Sequence, residues 1–130
     1  MSSPGDLDKR ALGMQLEALA ARYLAQQGLS LVCRNFQCKL GEIDLVMRDR
    51  NTLVFVEVRF RRSSTHGSAC ATVDWRKQRK VRRAAQVYLQ RSGLQDRLPC
   101  RFDVLGITRE PVIGSLQFDW VRAAFMLDAP

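Results

Sequence analysis

The chain has a single histidine, His66, and its four cysteines, Cys33, Cys38, Cys70 and Cys100, include no Cys-x-x-Cys pair. A zinc cage, which draws its ligands from clustered Cys and His, is therefore not expected. Nothing else points to an oxidising compartment, so the thiols are expected to be reduced. No stretch approaches the roughly 20 apolar residues of a membrane-spanning helix, and the N-terminus lacks the apolar run of a signal peptide. A cytoplasmic protein is expected, with no membrane partner. Acidic residues are few, 13 against 21 lysines and arginines, which leaves a net charge of +8. A field of that sign attracts polyanions and makes nucleic acid the leading partner class. An anionic membrane surface fits less well, because the basic residues are spread over several predicted elements instead of one amphipathic helix.

With 130 residues the chain fits one domain, residues 1–130, with 1–7 as a mobile tail. Its most informative stretch runs from Gly41 to Arg62 and reads as two strands joined by a polar turn. Alternation with a period of two sets Ile43, Leu45, Met47, Val54, Val56 and Val58 on one apolar face. Glu42, Asp44, Val46, Phe55, Glu57 and Arg59 form the other. Centring the turn between Arg50 and Asn51 puts Asp44 directly opposite Glu57, and Glu42 opposite Arg59. Directly opposed residues have Cβ atoms roughly 5 Å apart, a spacing at which two carboxylates repel. A divalent metal relieves that repulsion, and oxygen ligands suit magnesium or manganese. The spacing alone equally admits an ordinary solvent-facing charge cluster.

An amphipathic helix is expected from about Asp8 to Gln27, with Leu12, Leu16, Leu19, Ala20, Tyr23 and Leu24 as its stripe and Gly28 as its stop. Glu17 lies one turn from Gly13. A boundary carboxylate paired with an arginine is the simpler reading of Glu17, and a functional one needs the Gly13 side packed on the sheet near Asp44. Strands are expected over Leu29 to Phe36, Arg101 to Thr108 and Leu116 to Val121. A second helix spans about Val73 to Gln90, with Gly93 just past its end. Six of the nine residues from Trp75 to Arg83 are basic, and like charges at helical spacing favour a polyanion partner over an isolated helix. Ser63 to Ala71 reads as a loop, and His66 within it is given no role.

Gly13 and Glu17, Asn35, Gly41-Glu42-Ile43-Asp44-Leu45-Val46, Phe55-Val56-Glu57-Val58-Arg59, Lys77-Gln78-Arg79, Ala84-Ala85 with Tyr88-Leu89, and Arg101-Phe102-Asp103-Val104 together resemble the bacterial YraN family. That family is similar to nucleases of the restriction-endonuclease-like fold, including archaeal Holliday-junction resolvases. The resemblance implies a three-layer α/β fold, a mixed sheet of about five strands flanked by helices in the order α-β-β-β-α-β-β. It implies a magnesium or manganese site built from Asp44 and Glu57, which Glu17 joins, and a nuclease acting on DNA more than on RNA, with a homodimer as in the junction-cutting relatives. Arg59 stands where the pattern has a catalytic lysine. Lysine can lose its proton on burial, whereas arginine stays charged and can only donate hydrogen bonds or stabilise charge. Lys77 is the alternative ammonium. Arg61, Arg62, Arg76, Lys77, Arg79, Lys80 and Arg83 are expected to hold the nucleic-acid backbone. A second reading makes the protein a non-catalytic nucleic-acid-binding module in which the Arg59 guanidinium neutralises the carboxylates, and a third an adaptor whose basic helix binds an acidic protein.

Overall fold

A computed structural model describes residues 4–61 and 72–127, and within them the elements follow the expected order. They are α1 (Pro4–Gln26), β1 (Ser30–Cys38), β2 (Gly41–Asp49), β3 (Thr52–Arg61), α2 (Trp75–Ser92), β4 (Cys100–Arg109) and β5 (Leu116–Phe125). Arg62 and the whole of the expected loop, His66 included, lie outside the described residues. The helix α1 begins at Pro4, earlier than the expected Asp8, so the tail anticipated over 1–7 is partly helical. Proline suits a first helical turn, where its missing N–H would have no partner in any case.

The five strands form one sheet in the order β1-β2-β3-β4-β5. Only the β3–β4 pair is parallel, as the intervening helix requires. Helix α1 covers one face, where Ala20, Ala21 and Leu24 pack with Leu45, Met47, Val54, Val56, Leu105 and Ile107. Helix α2 covers the other, where Val81, Ala84, Ala85 and Leu89 pack with Val46, Leu53, Phe55, Phe102, Val104 and Phe125. This is the α/β mixed sheet expected, in three layers.

Two expectations of the apolar pattern fail. Leu12, placed on the α1 stripe, is half exposed, since only the C-terminal part of the helix reaches the buried cluster. Ile43 joins the α2-side cluster instead of the Leu45 face. Its strand, β2, is hydrogen-bonded to β3 only from Asp49 to Leu45, whereas its pairing with β1 continues to Gly41. The start of β2 therefore follows β1 away from β3, and the strict alternation is lost there.

Helix α2 is fixed at both ends. The Asp74 carboxylate accepts the Lys77 backbone N–H at 2.9 Å, and Gly93 closes the other end in the left-handed conformation, φ 70°. The opening of β2 lies tight against this helix: a Cβ on Gly41 would stand 2.8 Å from the Lys80 carbonyl oxygen. Because that oxygen belongs to a helix backbone, it cannot swing aside. Gly41→Ala is expected to cost about 2 kcal/mol of stability in urea unfolding, the usual range for overpacking; an unchanged midpoint would show that α2 is not seated there.

A buried carboxylate, Asp103, serves the architecture. It is fully enclosed and accepts from Arg101 Nε at 3.1 Å, Trp120 Nε1 at 2.9 Å and the Ala123 N–H at 2.9 Å. Arg101 in turn donates to Asp49 at 2.9 Å, tying β4 to the end of β2. Both carboxylates of this network are hydrogen-bonded, although Arg101 Nη2 is buried without a partner.

Candidate functional site

The turn at Arg50 and Asn51 gives the expected register, Asp49 opposite Thr52 through Leu45 opposite Val56. One step further, Asp44 and Glu57 would face each other, but there the ladder stops. Asp44 Oδ2 accepts the backbone N–H of Val58 at 2.8 Å, so a side chain takes the place of the carbonyl that a continuing strand would offer. This bond turns the Asp44 carboxylate toward β3 and Glu57.

Glu57 is the most constrained group of the site. It is only 1% exposed, and neither carboxylate oxygen has a hydrogen-bond partner. The nearest cation, Lys77 Nζ, stands 3.8 Å from Oε2, within ion-pair range but beyond a hydrogen bond. Burial, and then the charge of Asp44, push the Glu57 carboxyl up to about 8; Lys77, Arg59 and, most weakly, the Asp44 backbone N–H pull against them. Asp44 is also raised, chiefly by burial, despite the Val58 N–H, Lys77 and Arg59. Burial thus disfavours ionising both carboxyls together.

Glu17 stands on α1 in the wall of a cleft of about 480 Å³ that Gly13, Asn35, Glu42 and Asp44 also line. The Gly13 side of the helix thus does face the site. Arg34 fastens this wall by donating to the Met14 carbonyl at 2.8 Å. Burial and, next, the charge of Asp44 raise the Glu17 carboxyl, with Arg34 opposing. The arginine pairing considered for Glu17 does not form among the described residues. Nor do three of the acidic, Cys or His side chains described converge closely enough to make a three-ligand metal cluster. Asp44 and Glu57 are close enough for the charge of Asp44 to raise the Glu57 carboxyl.

Arg59 lies near enough for its charge to lower both carboxyls. Its Nε is buried without a partner, and it makes no ion pair with Asp44 or Glu57 among the described residues. The cation that approaches Glu57 is Lys77. Its placement follows from the Asp74 cap, which fixes where the helix starts, and from Gly41, which lets α2 come close to β2. Lys77 also lines a second cleft of about 450 Å³, with Lys39, Glu42 and Lys80. Lys39 was not foreseen, because a turn lysine carries no spacing signal. Of the expected backbone-binding residues, Arg76, Arg79, Lys80 and Arg83 are exposed on α2, and Arg61 is half-buried at the end of β3.

The comparisons with known proteins cover the same residues. The family described as "Uncharacterised protein family UPF0102" matches residues 16–107, a span holding Glu17, Asp44, Glu57, Arg59 and Lys77. A UPF0102 protein of Nitrosococcus oceani is 48% identical over 120 residues, covering 92% of this chain and 95% of its own. One from Chromohalobacter salexigens is 49% identical over 118 residues, 91% of this chain and 93% of its own. One from Pseudomonas syringae pv. syringae is 46% identical over 117 residues, 90% of this chain and 94% of its own.

Proposed function

The chain belongs to the uncharacterised protein family UPF0102, the YraN family, and on that premise we propose that it is a metal-dependent phosphodiester hydrolase, an endonuclease acting on DNA. The observation that carries this reading is the Glu57 carboxylate, enclosed, with neither oxygen hydrogen-bonded, a loose ion pair to Lys77 at 3.8 Å, and the charge of Asp44 beside it. A buried acid left in that state costs free energy unless its charge is answered, and a hard divalent ion answers two carboxylates at once. Magnesium or manganese fits this donor set, with Asp44 and Glu57 as the protein ligands and Glu17 close enough to orient the water around them. Such an ion, when bound, supplies an activated water and polarises the scissile phosphate.

The remaining residues have separate tasks. Lys77, 3.8 Å from Glu57, balances its charge and presents an ammonium to a phosphate oxygen entering beside it. Arg59, always charged, has a free buried Nε with which to donate to the same phosphoryl group. Lys39 and Lys80 flank the second cleft and hold the neighbouring backbone, while Arg76, Arg79 and Arg83 extend the basic surface along α2.

Calorimetric titration with manganese tests the reading. Saturable binding is expected in the wild type and its loss in Glu57→Gln, together with cleavage of branched, flapped or single-stranded DNA by the wild type. Neither binding nor cleavage would overturn it. The Lys77–Glu57 approach favours one other outcome, a nucleic-acid-binding module whose buried acid is answered by an ammonium instead of a metal. That module would bind DNA while showing no manganese isotherm.

A further inference from the structure

Trp75 opens α2 with 63% of its surface exposed, and among the described residues its one ring contact is with Arg76. Its backbone is held by the Asp74 cap, so the ring is carried on a rigid helix end. Its surroundings are cationic. The Arg76 guanidinium lies 5.4 Å from the ring centroid, and Arg79 and Arg83 follow on the same side at helical spacing, both exposed. Lys77, two residues on and so on another side of the helix, approaches Glu57, so the ring shares the N-terminal end of α2 with the site but not the face that meets the carboxylates.

A bare aromatic ring among guanidinium groups is poorly matched to an apolar protein surface, which would have to desolvate those charges. It is well matched to a nucleobase, whose π-face stacks on the indole while the arginines meet the adjoining phosphates. Inside a duplex every base is already stacked and offers no face, so the partner must bring an unpaired one. We propose that Trp75 is a stacking platform for an unpaired nucleobase, and that the site takes DNA with single-stranded character beside the phosphodiester: a flap, fork or junction arm in preference to blunt duplex. This rests on the nucleic-acid reading above and adds to it the shape of the substrate.

The test is fluorescence anisotropy with the full chain in EDTA at one fixed salt concentration, using labelled flap DNA and blunt duplex DNA of matched length. Wild type is expected to bind the flap more tightly. Trp75→Ala is expected to lose about 10- to 100-fold on the flap, the range for one base–aromatic stack, and to bind duplex as before. Trp75→Tyr should keep most of the flap affinity. Equal losses on flap and duplex, or no loss on either, overturn the proposal while leaving the hydrolase reading intact. Absence of nucleic-acid binding in the wild type removes both. Polyglutamate binding that depends on Trp75, with DNA binding that does not, overturns it in favour of an acidic protein partner.

Discussion

Asp44→Asn is expected to lower manganese-dependent DNA cleavage by about 10³-fold, equivalent to about 4 kcal/mol of transition-state stabilisation, while the melting temperature is expected to stay within a few degrees of wild type. The two halves of this result come from the two tasks of one side chain. Its oxygen accepts the Val58 N–H at 2.8 Å, and its charge faces Glu57. Asparagine retains an acceptor for the amide and gives up the charge that a hard cation needs. Asp44→Ala gives up both and leaves the Val58 N–H without its partner, adding an expected cost of about 1–3 kcal/mol to stability. Cleavage rates and thermal melts of the pair therefore separate chemistry from strand geometry. Cleavage by Asp44→Asn at the wild-type rate would mean that the hydrolytic centre lies elsewhere.

Stability is expected to fall as pH rises from about 4.5 to 8, and Glu57→Gln is expected to abolish most of that fall. The carboxyl of Glu57 is raised from 4.5 to about 8 in the folded chain. Between those values the native state keeps a proton that the unfolded chain releases, so unfolding becomes easier as pH increases. The stabilising proton is fully in place below the unfolded value and is lost as pH passes through 8. Full linkage over that interval corresponds to about 5 kcal/mol, large against the 5–15 kcal/mol typical of a domain. Asp44, also raised, adds to the trend with the same sign. Glutamine keeps the shape and cannot ionise, so it matches wild type in slope below pH 5 and exceeds it in stability at pH 8. Manganese at pH 8 restores the wild type by mass action and does nothing for Glu57→Gln. Urea unfolding across the pH range measures this directly, and parallel slopes for the two proteins would exclude Glu57 as the source.

The element order, the β2–β3 register and the parallel β3–β4 pair were legible because each rests on local rules: alternation, turn position and crossover length. The same rules carried the register as far as Leu45 opposite Val56, one step short of Asp44 and Glu57. What escaped was set by tertiary approach. The partner of Glu57 depends on how closely α2 lies on β2, which Gly41 decides through its contact with the Lys80 carbonyl. Arg59, two residues along the same strand face, looked like the natural counter-charge, yet Lys77 from another element reaches the acid first. Ile43 was misplaced because alternation presumes a strand paired on both sides, and β2 has left β3 by that point. Trp75 was read only as the start of a basic run, since exposure of a ring is settled by what fails to cover it.

The Val58 amide has a further consequence. In an ordinary sheet such a proton bonds to a neutral carbonyl and its magnetic environment is indifferent to the site. Here it bonds to a carboxylate. The amide resonance of one β3 residue is thereby an internal gauge of charge at the centre, moving whenever a proton, an ion or a phosphate arrives at Asp44, with no label attached to the protein or to its ligand.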